Sequence, residues 1–272
     1  MTFEIIIPLR NPTEVLSKTL ESIISQADKN FSILISDNHS TAGQEHIESA
    51  FNRLKESGLA VRKITPPVEL GRVEHWNWAH YQSGADWLKP LFVGDWLEPG
   101  YVARIREAVV ADPSCRYVRC HYILHRHDGQ PLTVAASSNW SGRFYTPAEM
   151  QDVVLRYGMQ FGPPSCSAYE RAAFVAIGGY APALPITADC LFFCILAARF
   201  GVMSLAEPLL NFNIHADRFS KNLPKIRRET LQESYTFLLS LAYHAWTENI
   251  RIPVFGFLRL LLRTYKNYLM GR

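Results

Sequence analysis

Four polar clusters in this 272-residue chain each follow a run of β-forming residues: Pro8-Leu9-Arg10-Asn11, Asp37-Asn38-His39-Ser40, Glu69-Leu70-Gly71-Arg72 and Gly94-Asp95. In an open parallel sheet, ligands bind beyond the carboxyl ends of the strands, so these clusters are where chemistry belongs. A carboxylate such as Asp37 suits the ring N–H of a base. A diphosphate needs positive charge, backbone N–H groups or a metal ion. Two common phosphate-binding devices are missing: no GxGxxG follows the first strand, and no GxxxxGK[ST] occurs. Farther along, Asp189 opens an apolar helical run, where the helix dipole favours an ionised carboxylate.

Positioning these groups requires alternating strands and helices. Residues 3–8 form a short apolar run that suits a buried parallel strand. Val15, Leu16, Leu20, Ile23 and Ile24 then share one helical face, with Asn11 as N-cap and Pro12 in the first turn. Strands follow at 31–36, 59–64, 87–93 and 116–125, and helices at 43–57, 73–82 and 99–112. Residues 128–146 read as irregular, and helices return at 147–156, 171–177 and 189–200. The expected fold is α/β: a mostly parallel sheet flanked by helices over residues 1–220, then a helical tail over 221–272.

Composition narrows the class. Hydrophobic residues make up 48 % and charged residues 19 %, as in an ordinary globular protein. The net charge of +3 is unevenly spread: residues 221–272 hold nine Lys/Arg against three Asp/Glu, leaving 19 against 22 in the body. An acidic body whose aromatics do not alternate with basic residues argues against nucleic acid as partner. Five cysteines without a CxxC pair suit a reducing compartment. The N-terminus lacks the pattern of a signal peptide, and no uncharged apolar run approaches the roughly 20 residues of a spanning helix.

The sequence of motifs resembles a known family. IIIPLRN, LESIISQ and FSILISDNHS resemble the opening of the family-2, GT-A-fold glycosyltransferases, with their P-x-x-N, S-I-x-x-Q and D-N-x-S. LGRVEHWNWAHYQSGADWLKPLFVGDWLEP is similar to the segment G…N-W-N…DD-x-L-x-P. GPPSCSAYERAAFVAIGGYAPALPITADCLFFCILAARFG resembles the acceptor-side block, and EPLLNFNIHADRFS the closing E-P-L…H-x-x-x-x-S. The resemblance spans about residues 3–220, in order and at sensible spacing.

It implies transfer of a sugar from a nucleoside diphosphate, UDP by default, to an acceptor hydroxyl with inversion. Asp37 with Asn38 would hold the base, residues 8–11 would lie against base and ribose, and Arg72, Asn77, Gly94 and Asp95 would complete the donor site. Asp189 would be the general base. The acceptor would be a glycan or a lipid-linked sugar, in bacterial surface polysaccharide or lipopolysaccharide synthesis at the cytosolic face of a membrane.

One departure bears on the cofactor. The family carries a D-x-D or D-D cluster that holds Mg²⁺ or Mn²⁺ on the diphosphate, whereas this chain has Val93-Gly94-Asp95 and no D-x-D. Asp95, His215 and the diphosphate remain as ligands for Mn²⁺ or Mg²⁺; the alternatives are metal-independent transfer or a protein that has lost activity.

Plainer roles stand beside each of these. Asp189 suits an N-cap, Asp37 an Asx turn, Asp95 a turn and His215 a loop cap. His121, His125 and His127 share one strand face, a polar face rather than a zinc site, with Cys120 on the other. Cys190 and Cys194 lie one helical turn apart, as core residues do, and Trp76 and Trp78 either pack or stack on a sugar. The tail, with Phe255, Phe257 and Leu258 among Arg251, Arg259 and Arg263, suits a membrane interface or packing on the domain or on a second copy of the chain. Two rival functions follow: a non-catalytic relative that binds nucleotide sugar or glycan, and a membrane-associated scaffold.

Overall fold

The computed structural model describes residues 1–125, 131–135, 142–157 and 161–213, and isolated positions between 236 and 247. A ten-stranded mixed sheet runs through the molecule. Its first half is built from β1 (Phe3–Leu9), α1 (Leu16–Ile24), β2 (Ser32–Asp37), α2 (Gln44–Glu56), β3 (Ala60–Ile64), α3 (Arg72–Tyr81) and β4 (Trp87–Pro90). The strands β3, β2, β1 and β4 lie side by side in that order, all parallel. All seven residues of β1 are buried. Ile5 and Ile7 pack with Leu16, Leu20 and Ile23 of α1 in one layer, while Ile6 packs with Val73 and Ala79 of α3 in the other. A continuous apolar run is what a strand covered on both faces demands, and each such isoleucine contributes roughly 1.5–3 kcal/mol by burial.

The second half comprises β5 (Trp96–Leu97), α4 (Tyr101–Ala111), β6 (Tyr117–His125), β7 (Pro131–Ala135), β8 (Arg143–Tyr145), α5 (Pro147–Tyr157), a 3-10 turn at Pro164–Cys166, β9 (Ser167–Glu170), α6 (Arg171–Ile177), α7 (Ala188–Phe200) and β10 (Val202–Asn213). β9 lies antiparallel between β4 and β6, and joins the parallel half to β6 and β10. Residues 128–146, read from sequence as irregular, thus contribute two antiparallel strands, β7 beside β6 and β8 beside β10. β10 follows β6 with a register break between Ser204 and Leu210, where Glu207 and Pro208 interrupt the strand pattern. A proline lacks the ladder N–H, which confines it to such irregular positions.

α1 begins after Val15, not after Asn11. Asn11 instead takes a left-handed backbone (φ 47°), and its side-chain oxygen accepts the N–H groups of Thr41 (2.8 Å) and Ala42 (3.1 Å). It therefore fastens the loop after β1 to the loop after β2. The five cysteines are free thiols, and Cys194, on α7, is buried in the apolar layer that this helix covers. His125 bonds Asn211 (2.7 Å) and packs on Trp96. His127, His215 and the expected helical tail over 221–272 lie outside the described residues, isolated tail positions aside. No described helix is long and apolar enough to cross a membrane.

Candidate active site

A cleft of about 1070 Å³ opens at the carboxyl ends of β1, β2 and β4. Its walls come from Pro8 and Leu9 at the end of β1, Arg10 and Asn11 after it, Asn38 after β2, Glu69 to Gly71 before α3, Arg72 at the head of α3, and Phe92 and Val93 after β4. Across from them stand Pro163, Pro164, Ile186, Phe212 and Asp189. Six of the proposed donor residues (Pro8, Leu9, Arg10, Asn11, Asn38 and Arg72) thus share one cavity with Asp189. Asp37, Asn77, Gly94 and Asp95 are not on its lining.

Three loops of the lining are tied together. The Asn38 amide donates to the Leu70 carbonyl (2.7 Å) and accepts the Leu70 N–H (3.0 Å), while Arg10 pairs with Glu69 at 2.7 Å. Both members of the ion pair are about half exposed (45 % and 50 %), so orientation outweighs its stabilisation, about 0–1 kcal/mol. Asp37 sits behind Asn38 and caps the next turn, accepting the Ser40 N–H at 3.0 Å. Asn77 exchanges two hydrogen bonds with the Tyr180 backbone, at 2.7 and 2.8 Å, and joins α3 to the turn before α7.

α3 contributes more than Arg72. His75 and Trp76 also line the cleft, three and four residues on and hence on the same helical face. The Arg72 guanidinium lies over the Trp76 ring, 4.9 Å from its centre, and Trp76 packs edge-on against Phe92. Burial pushes the His75 imidazole down to about 4, against the pull of the Asp37 carboxylate, so His75 is neutral near pH 7. It shares a hydrogen bond of 2.7 Å with the Ser36 hydroxyl. His75 escaped the reading of the sequence, yet the spacing from Arg72 at the head of a helix aimed at the strand ends was its signal.

Asp189 lies in the first turn of α7, partly exposed to the cleft. Its Oδ1 accepts the Cys190 N–H at 2.9 Å. Burial nevertheless raises its carboxyl above the ordinary value, and the Cys190 bonds and the Arg72 charge offset that only in part. The helix dipole alone led to the expectation of a readily ionised group; desolvation in the apolar wall outweighs it. The result is a carboxylate with enhanced proton affinity on the rim of a cavity, as a general base requires.

The Gly94-Asp95 turn is built differently. Gly94 has φ 94°, a conformation that favours glycine, and donates its N–H to the Thr19 hydroxyl (3.0 Å). Asp95 is 1 % exposed; its carboxylate accepts the Ser165 hydroxyl at 2.7 Å and its carbonyl the Thr19 hydroxyl at 2.9 Å. Behind it, fully buried Lys89 donates to the carbonyls of Pro90 (3.0 Å) and Ser165. Burial pushes the Lys89 ammonium down to about 8, against the upward pull of Cys120, Cys166 and Asp95. Mg²⁺ or Mn²⁺ on a diphosphate needs exposed oxygen ligands. Gly94 has no side chain and Asp95 faces inward, and no group of three His, Cys, Asp or Glu among the described residues is arranged to hold a metal. The described residues of this turn do not fit the ion.

The family model described as glycosyl transferase family 2 matches residues 4–178. No curated protein matches the chain. Among solved structures, S. aureus TarS residues 1–349 in complex with UDP is 13 % identical with a TM-score of 0.68, covering 99 % of this chain and 72 % of that one. The mannosyltransferase PcManGT from Pyrobaculum calidifontis, in complex with GDP-Man and Mn²⁺, is 12 % identical with a TM-score of 0.60, covering 99 % and 82 %. GalNAc-T7 with UDP, GalNAc and Mn²⁺ is 12 % identical with a TM-score of 0.59, covering 79 % and 44 %. At these identities the likeness is one of fold.

Proposed function

The chain belongs to glycosyl transferase family 2, and from that premise we propose that it moves a sugar from a nucleoside diphosphate, UDP by default, to an acceptor hydroxyl with inversion. The observation that carries this reading is the meeting of Asp189, Arg72 and the loops after β1 and β2 in one cleft at the strand ends. The base and ribose are assigned to residues 8–11 and to Asp37 and Asn38, and the sugar to the side nearer Asp189. There Asp189 takes the proton of the acceptor hydroxyl while its oxygen attacks the anomeric carbon. The bond from that carbon to the diphosphate oxygen breaks, and the nucleoside diphosphate leaves with the electron pair. General-base assistance of this kind is worth about 10² to 10⁴ in rate.

TarS in complex with UDP and with UDP-GlcNAc, and PcManGT with GDP-Man, support a nucleotide sugar as the donor class. A glycan or lipid-linked acceptor in a bacterial surface polysaccharide or lipopolysaccharide, reached at the cytosolic face of a membrane, suits the basic, apolar residues of 221–272. Sedimentation with anionic liposomes tests this: truncation from Ile252 releases the protein, and a full-length chain that never sediments refutes membrane contact. A non-catalytic binding role is the second reading, favoured by Gly94 and the inward Asp95.

Thermal unfolding with UDP, GDP, dTDP and CMP tests donor binding. A nucleotide at about 100 times its Kd stabilises the fold by roughly 2.7 kcal/mol, at about 2–4 °C per kcal/mol. No shift with any of the four contradicts a donor site.

A further inference from the structure

We propose that this chain receives the donor diphosphate without a divalent metal ion, on the guanidinium of Arg72 at the head of α3. The inference rests on the donor-binding reading above and concerns how that site balances the diphosphate charge.

The first ground is the Gly94-Asp95 turn. A metal that reached Asp95 would have to displace the Ser165 hydroxyl, 2.7 Å away, and draw out a side chain that is 1 % exposed. The Asp95 charge is answered from within the fold by buried Lys89, which Ser165 links to it: the Ser165 carbonyl accepts from Lys89 and the Ser165 hydroxyl donates to Asp95. The left-handed backbone of Gly94 disfavours any carboxylate side chain at that position.

The second ground is Arg72 itself. It lines the cleft and stacks over Trp76, and it lies close enough to Asp189 for its charge to act on that carboxyl. It therefore shares the cleft with the proposed base, within reach of its charge, on the path a leaving diphosphate would take. A planar guanidinium matches phosphate oxygens with two parallel hydrogen bonds, and a fixed cation on a departing phosphate does the work of charge stabilisation otherwise left to a metal. A diphosphate on Arg72 also competes with Asp189 for the same positive charge. Donor binding then strengthens Asp189 as a base at the stage when the proton must be taken.

Calorimetric titration of the full-length protein with UDP and GDP, in EDTA and in Mn²⁺, tests the proposal. The expected result is a Kd in EDTA that Mn²⁺ leaves unchanged. Arg72→Ala weakens the diphosphates by about tenfold to a hundredfold, the worth of charged hydrogen bonds, and leaves uridine and guanosine binding as it was. Asp95→Asn leaves the diphosphate Kd unchanged. Binding that appears only with Mn²⁺ overturns metal independence while the donor-binding reading stands. Unchanged diphosphate affinity in a folded Arg72→Ala protein overturns the assignment to Arg72. If that variant does not fold, Arg72→Lys, which keeps the charge but loses the fork, carries the same comparison. No binding of either nucleotide in either buffer overturns the donor site and this inference with it.

Discussion

The Arg72 charge acts on the Asp189 carboxyl, and that makes a pH prediction. As the proposed base, Asp189 must be ionised to take a proton, and burial raises its carboxyl above the ordinary value. The rate therefore falls as pH drops through that raised pKa, giving an acidic limb above the usual carboxylate range. Arg72 holds the pKa down, so Arg72→Ala should move the limb of kcat/KM to higher pH. A limb that stays in place would break the link between the two residues. At this scale the sequence was partly legible. Residue type and motif position marked Asp189, Arg72 and residues 8–11, which meet in the cleft. They did not show that Asn77 and Asp95 face other partners, because a polar side chain looks the same in sequence whether it meets a ligand or a backbone carbonyl. For Asn77 the partner is the Tyr180 backbone, 103 residues away.

That long-range clamp ties α3 to the turn between α6 and α7. Asn77 satisfies the N–H and carbonyl of Tyr180, and Gly179, at φ 77°, sits against it: an added Cβ would lie 2.5 Å from the Asn77 oxygen. Asn77→Ala leaves both Tyr180 backbone groups without that partner and should cost about 2 kcal/mol or more. Denaturant unfolding measures this; a loss below about 0.5 kcal/mol, the range of an ordinary surface change, would mean the clamp is dispensable. Elements with strong periodicity, such as β1, α2 and α4, lie close to where their patterns place them. The failures are informative. β10 is twelve residues long yet shifts register against β6 around Glu207-Pro208, and β7 and β8 are short strands amid Ser, Gly and Asn. Their pairing with β6 and with β10 defines them, and pairing across distant segments leaves little local pattern.

Across the whole molecule, buried histidines make the fold sensitive to acid. His75 and His80 are buried, and burial lowers both from 6.5 to about 4. In the unfolded chain each takes up a proton as pH falls through 6.5, whereas in the fold it does so only near 4. Stability is therefore full above pH 6.5 and is lost progressively down to about pH 4, by roughly 3 kcal/mol per histidine. Unfolding temperature against pH shows this fall, and His80→Gln should flatten it. A curve flat from pH 7 to 4 would contradict neutral burial. The same compactness lets one cleft serve both halves of the sheet: the parallel half supplies residues 8–11, Asn38 and Arg72, and α7 beyond the antiparallel β9 supplies Asp189. The transferase account depends on that meeting. Its most direct test measures, on one preparation of Asp189→Asn, both nucleotide affinity and release of nucleoside diphosphate from a panel of UDP- and GDP-sugars. The account predicts affinity no weaker than that of the unaltered protein, since Arg72 loses a competitor for its charge, with turnover reduced by about 10² or more. Turnover equal to that of the unaltered protein would contradict Asp189 as the base and, with it, the reading of this cleft as the place of transfer.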